Sequence, residues 1–158
     1  ISKVNQAIEL PAALEKAFKE DTQILVEEFI SGREFTIGVF KTKGTLQVLP
    51  ITEIETDNEF FDFEAKYQGK SVETTPALIS ETMQSQLEAA AKRVYEVLNC
   101  RGVVRIDFIY NEQKGLPYML EVNTVPGQSA ASVIPQQVKA MGVSLQDFYT
   151  SIVEESLN

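Results

Sequence analysis

Histidine is absent from the 158 residues, and cysteine occurs once, at Cys100. The first absence excludes histidine-based zinc sites and serine–histidine triads. Any metal would then be held by oxygen ligands, which suits a hard cation such as Mg²⁺. The second excludes an internal disulfide and fits a reducing, cytoplasmic setting, with Cys100 read as a small buried residue. Basic residues are scarce: 14 Lys and Arg stand against 23 Asp and Glu, a formal net charge of −9. That balance argues against a nucleic-acid partner or an anionic membrane, both of which attract basic faces. No apolar run is long enough to span a bilayer, and the first residues read as neither a signal peptide nor a basic leader. Low-complexity tails and internal repeats are also missing. What is present is 44% hydrophobic content, enough for one ordinary core.

Periodicity predicts the elements. Ala7 to Asp21 reads as a helix, with Leu10, Leu14 and Phe18 four apart and Pro11 near its first turn. Gln23 to Ile30 reads as a strand ending on acids. Ser31-Gly32 turns the chain into a second strand, Glu34 to Lys41. Lys43-Gly44 is a hairpin turn into Thr45 to Glu55, where Pro50 implies an edge strand or a bulge. Residues 56–78 lack a period and carry Phe60, Phe61, Phe63 and Tyr67 among charges, a long loop of the kind that is uncommon unless functional. Ser80 caps a helix to about Asn99 whose stripe is Met83, Leu87, Ala90, Val94 and Leu98. Gly102 to Tyr110 and Leu116 to Thr124 are strands joined by a polar turn. Pro135 to Met141 is a short helix closed by Gly142. Ser144 caps a last helix with Leu145, Phe148 and Ile152 inward. The order predicts an α+β fold with a largely antiparallel sheet flanked by helices.

The two strands about Lys114 carry an oddity. In "GVVRIDFIY", Arg105 and Asp107 share a face; in "YMLEVNTVPG", Glu121 and Asn123 do the same. Paired as a hairpin, Asp107 falls opposite Glu121 and Arg105 opposite Asn123, at Cβ separations of roughly 4.5–5.5 Å. Two carboxylates so close repel, and leaving them unpaired away from water costs several kcal/mol. A divalent cation removes the conflict, since Asp, Glu and Asn are hard oxygen ligands. The plainer alternative is an exposed face on which Arg105 pairs with the acids as surface salt bridges. A slip of one residue would send Glu121 to the opposite face and remove the case for a metal.

"VRID…YMLEVNTVPG" resembles the metal-binding hairpin of the ATP-grasp superfamily. "VEEFISGREFTIGV", "FFDFEAKY" and "NTVPGQSAASVIP" narrow the likeness to the C-terminal half of D-alanine–D-alanine ligases, from Ile1 to about Leu157. The resemblance implies that residues 1–27 are the remainder of a central ATP-grasp subdomain and residues 28–158 the C-terminal catalytic domain. It implies a cytoplasmic ligase that joins two D-alanines for peptidoglycan precursors, using ATP and two Mg²⁺ ions, for which Mn²⁺ can substitute. Asp107, Glu121 and Asn123 match the metal ligands. Arg105 matches the arginine that stabilises the acyl phosphate and tetrahedral intermediate, and the Gly127 N–H matches a donor at the same oxyanion. Ser132 and Val133 match the pair that binds the second D-alanine's carboxylate.

For the nucleotide, the likeness implies Glu27 at the adenine amino group and Glu28, Phe29 and Ile30 along the adenine edge. It places Glu34 on the ribose hydroxyls, and Phe60, Ile109 and Leu120 as apolar walls. Lys66 matches a lysine that reaches the phosphates, and Tyr67 a tyrosine on a loop closing the dipeptide site. Read from the residues alone, Glu27 and Glu28 are ordinary exposed acids, Ile109 is core and Ser132 a helix cap. "EAKY" resembles D-alanine-adding members more than those that add D-lactate. Ala131 departs from members with a larger polar residue there. Family members carry, upstream, a substrate-binding domain, a lysine and a Gly/Ser-rich phosphate loop. Since "ISKV" looks like the segment just after that loop, the piece alone is expected to be inactive and the complete enzyme a homodimer. Two other readings stay open: a different ATP-grasp carboxylate–amine ligase, and a non-catalytic nucleotide-binding or assembly module.

Overall fold

The computed structural model describes residues 1–56 and 71–157. They form two compact units, Ile1–Ile30 and Ser31–Asn158. In the first, a 3₁₀ turn at Ala7–Glu9 runs into helix α1, Leu10–Ala17. The Glu9 carboxylate accepts from the N–H groups of Asn5 (2.8 Å) and Gln6 (3.1 Å), satisfying donors at the helix entry. The helix stops at Ala17, short of the predicted Asp21. There the Asp21 carboxylate accepts from the Gln23 N–H at 3.1 Å and turns the chain, a local bond that competes with helix continuation. That bond and a second to Thr22 hold the Asp21 carboxyl below its ordinary value.

The predicted strand at Gln23 to Ile30 is not one: this segment enters no sheet, and Leu25 and Val26 are exposed. A run of β-formers becomes a strand only against a neighbour that completes its hydrogen bonds, and none of the described residues does so.

The second unit is built on an antiparallel sheet. Its elements are β1 (Arg33–Thr42), β2 (Thr45–Val48), β3 (Thr52–Thr56), β4 (Ser71–Thr74), α2 (Glu81–Val97), β5 (Val103–Asn111), β6 (Leu116–Asn123), α3 (Val133–Ala140) and α4 (Leu145–Ser156). The strand order is β4-β3-β1-β5-β6, with β2 also paired to β1. Lys43 and Gly44 both take positive φ, 50° and 74°, and close the β1–β2 hairpin between Thr42 and Thr45. Pro50 splits the expected long strand in two. β2 lies along Val39–Thr42 of β1, while β3 lies along Glu34–Thr36 and is an inner strand, not an edge.

Within the stretch 56–78 expected to be a loop, Ser71–Thr74 is a strand, pairing with β3 as β4. Four residues carry too little alternation to announce a strand; the ladder to β3 makes it one. Phe60, Phe61, Phe63, Lys66 and Tyr67 lie outside the described residues.

Alternation gives the sheet two unlike faces. Phe35, Ile37 and Val39 of β1 join Val104, Ile106, Phe108 and Tyr110 of β5 in a core against α2. Ser80 caps that helix, accepting from the Met83 N–H at 3.2 Å. Its buried stripe is Met83, Leu87, Ala91 and Tyr95, with Ala90 and Val94 partly buried beside it. Leu98 was expected in the stripe but is exposed, because it is the C-cap where the helical path ends. Half-buried Cys100 packs against this core, and desolvation pushes its thiol's pKa up.

A second cluster joins Phe40, Leu49, Ile134, Val138 and Phe148, covering one end of the other face with α3 and α4. Phe40 and Phe148 meet edge-on with ring centroids 5.0 Å apart. Ser144 caps α4 as predicted, with Ile152 packed on the cluster, whereas Leu145 in the first turn is exposed. On the stripe as observed, Leu87→Ala lowers the unfolding free energy by about 2–5 kcal/mol. Leu98→Ala changes it by no more than about 0.5 kcal/mol; urea titration of the two variants separates observed from expected stripe.

Candidate active site

The part of the sheet's second face beyond α3 is polar. In the β1–β5 register Glu34 is opposite Ile109, Thr36 opposite Asp107 and Gly38 opposite Arg105. β6 adds Asn123 opposite Arg105 and Glu121 opposite Asp107. The register near the turn is different: Tyr118 is opposite Ile109 and Met119 opposite Phe108, with the shift between Phe108 and Asp107. Leu120 is the extra residue. A regular ladder continued from Met119 would put Leu120 opposite Asp107 and turn Glu121 towards α2. The bulge reverses the alternation once and delivers the carboxylate to the polar face.

Arg105 organises this row. Its Nε donates to Asp107 Oδ1 at 3.0 Å and its Nη2 to Asp107 Oδ2 at 2.8 Å, a two-pronged pair along one strand. The same Nη2 reaches Glu121 Oε1 at 3.3 Å. The Thr36 hydroxyl donates to Asp107 Oδ1 at 2.5 Å. The ion pairs of the plainer reading are therefore present: the Arg105–Asp107 pair is drawn into the protein, while the Arg105–Glu121 pair is exposed. The side chains of Asp107 and Arg105 are 8% and 19% exposed, against 53% for Glu121.

Asn123 Oδ1 accepts from the Val125 N–H at 3.0 Å, which bends the chain out of β6 towards Gly127. Gly127 passes so close to Ser132 that a Cβ there would sit 2.7 Å from its Oγ. Only a glycine leaves that hydroxyl undisturbed. Ser132 has the extended backbone of an N-cap to α3, yet its hydroxyl makes no capping bond and pairs with Ser129 Oγ at 2.9 Å. A cavity of about 470 Å³ joins these parts, walled by Glu34, Thr36, Arg105, Asp107 and Asn123 on the strands and by Gly127, Ser132 and Val133 on the loop and α3.

The other sequence candidates are distributed as follows. Glu34 and Ile109 are half-buried neighbours on the polar face, and Leu120 is the partly exposed bulge residue. Glu27, Glu28 and Phe29 are exposed in the unpaired segment of the first unit, followed by half-buried Ile30; Lys3 Nζ lies 4.2 Å from the Phe29 ring centroid. Phe60, Lys66 and Tyr67 fall outside the described residues. Among the wall residues not anticipated are Thr36 and Glu73. Thr36 becomes visible only once β1 is known to pair with β5, 71 positions on, and Glu73 only once β4 is known.

Among the described residues no three His, Cys, Asp or Glu side chains cluster as a cage. The candidate ligand set is two opposed carboxylates and an amide, oxygen donors only, around a guanidinium that supplies positive charge. That donor chemistry fits a hard divalent cation.

Sheet and site together define the C-terminal part of an ATP-grasp fold. The chain belongs to the family described as D-ala D-ala ligase C-terminus, whose model matches residues 1–154. It is 52% identical over 157 residues to the D-alanine–D-alanine ligase of Flavobacterium johnsoniae, covering 99% of this chain and 48% of that protein. The D-alanine–D-alanine ligase of Bacillus anthracis complexed with ATP superposes with a TM-score of 0.79 at 30% identity, over 98% of this chain and 48% of that one. The VanG D-Ala:D-Ser ligase of Enterococcus faecalis gives 0.78 at 33% identity, over 94% and 43%. The chain thus spans about half the length of the curated relatives it matches.

Arg105→Ala leaves a buried Asp107 facing Glu121 with no guanidinium between them. A loss of about 3 kcal/mol of stability follows, measurable by urea unfolding; a loss below about 0.5 kcal/mol would show that the contact is only a surface ion pair.

Proposed function

We propose that the protein carrying this chain is an ATP-dependent ligase that joins two D-alanines, with residues 1–27 in its central subdomain and 28–158 in its catalytic domain. The observation that carries the reading is the opposed Asp107–Glu121 pair bridged by Arg105, with Arg105, Asp107 and Asn123 lining one cavity together with Gly127 and Ser132, in a member of this family. The first D-alanine's carboxylate takes the γ-phosphoryl group of ATP and releases ADP. The second D-alanine's amine then attacks the acyl carbon, phosphate leaves with the bonding pair, and the amine loses its proton.

The chain supplies positioning and charge stabilisation for these steps, with no side-chain nucleophile needed. Arg105 faces the developing negative charge, and the Gly127 N–H donates to the oxyanion. The Ser132 hydroxyl, not consumed by capping, and the Val133 N–H hold the acceptor's carboxylate. Asp107, Glu121 and Asn123 would hold two Mg²⁺ ions, or Mn²⁺ in their place, which when bound neutralise phosphate charge. Glu34 takes the ribose, Glu27 to Ile30 the adenine edge, and Ile109 and Leu120 the adenine faces. Phe60, Lys66 and Tyr67 keep the nucleotide and closing-loop roles that the motifs imply. The setting is the cytoplasm, the product a peptidoglycan precursor, and the complete enzyme a homodimer.

The likeness to a D-Ala:D-Ser ligase supports a second reading, in which D-serine is the acceptor. Phosphate release from the complete protein with D-alanine alone, or with D-alanine plus D-serine or D-lactate, separates the two. D-alanine alone is expected to suffice, and a rate that needs D-serine would select the alternative. Glu121→Gln is expected to cut Mg²⁺-dependent turnover at least about 100-fold while the circular dichroism spectrum is retained. Wild-type turnover in that variant would defeat the metal assignment.

A further inference from the structure

Gln137 is fully buried, one helical turn past Val133 on α3, and is surrounded by the apolar second cluster. A carboxamide there has a real cost, since a polar group left unpaired away from water loses its hydration with nothing in exchange. Leucine would fill the space without that cost. Every bond the carboxamide makes leads to the strands. Its Oε1 accepts from the Gly38 N–H at 3.1 Å, and its Nε2 donates to the Thr36 carbonyl at 3.0 Å and to Thr52 Oγ1 at 3.0 Å.

Those two backbone groups lie at a break in the sheet. β1 pairs with β3 up to Thr36 and with β2 from Val39, and the chain between them passes through Pro50, which has no N–H to offer. Leu49 N–H covers the Gly38 carbonyl at 2.8 Å. The Gly38 N–H and the Thr36 carbonyl, two residues apart on β1, are met by one side-chain amide. It offers a donor and an acceptor as a peptide group would.

Gly38 is shaped for this. A Cβ on it would lie 2.7 Å from Gln137 Oε1, 2.8 Å from Ile134 Cδ1 and 2.6 Å from Leu49 Cδ1. The missing side chain is what lets α3 come down onto β1. Thr36 completes the link: its carbonyl receives Gln137, and its hydroxyl holds Asp107. Thr36 is therefore one link between the two walls of the cavity.

We infer that Gln137 is a positioning residue, a side-chain substitute for the missing rung of β1 that fixes the acceptor wall (Gly127, Ser132, Val133) against the strand supporting Asp107. The functional half of this rests on the ligase reading above. A displacement of about 1 Å between two reacting groups can cost on the order of 100-fold in rate, so the anchor acts on turnover without touching substrate.

The test uses the complete protein with Gln137→Leu, and with Gln137→Met, unbranched and of similar volume but without the amide's bonds, should the leucine variant fail to fold. Amide exchange by NMR is read first, and it does not depend on any activity. The Gly38 amide and those of Ser132 and Gln136, which are hydrogen-bonded, are expected to exchange at least about tenfold faster, with the α2 amides unchanged. Wild-type exchange at Gly38 would overturn the substitute rung. Steady-state kinetics are read second. KM for D-alanine is expected to rise about tenfold or more and kcat to fall, with KM for ATP within twofold of wild type. A parallel shift of both Michaelis constants would reduce Gln137 to a structural role and overturn the inference. No turnover in the wild-type protein would count against the ligase reading alone, and the exchange result would still decide the rung.

Discussion

Two carboxylates held opposite each other on adjacent strands are the constraint around which the rest of this unit is arranged. Asp107 and Glu121 face each other only because Leu120 is an extra residue in β6. One bulge converts a strand whose alternation would bury Glu121 against α2 into one that presents it beside Asp107. The resulting repulsion must be met by positive charge, and Arg105, two residues from Asp107 on the same strand, meets it from within the protein. A cation binding to this row would add to charge compensation already in place, and would find donors whose directions are set by the sheet.

The sheet separates stability from chemistry by face. One side is closed by α2 over a continuous apolar layer. The other is closed at one end only, by α3 and α4, and stays open where the charged row and the Gly127 loop meet. On that second side Thr36 holds two hydrogen bonds, to Asp107 of the charged row and to Gln137 of α3. Next along the chain from Glu34 and Ile54 of the cavity wall, Arg33 pairs with Glu53 through two 2.7 Å bonds between β1 and β3. That pairing raises the Arg33 pKa above its already high ordinary value, so its charge is permanent.

Sequence reading succeeded where structure follows from neighbours along the chain. The β1–β2 turn at Lys43-Gly44, the caps at Ser80 and Ser144 and the two strands about Lys114 all rest on interactions spanning a few residues. It failed at Gln23 to Ile30, whose composition suits a strand that no described neighbour completes, and at Ser71–Thr74, whose composition is unremarkable and whose strand is imposed by β3. Leu98 shows a subtler limit: the stripe was drawn past the point where the helix ends.

By itself, the sequence determined the α+β class, the absence of histidine and disulfide chemistry, and the presence of Arg105, Asp107, Glu121 and Asn123 at spacings that could share a face. Those follow from residue identity and a period of two. Whether they did share it was decided by the bulge, because the register adopted near the turn, continued without it, would assign Glu121 to the other side. Thr36 and Gln137 joined the site only through contacts 71 and 101 positions apart in the chain. Such pairings have no local signature, since their energy comes from groups that meet only after the sheet has formed.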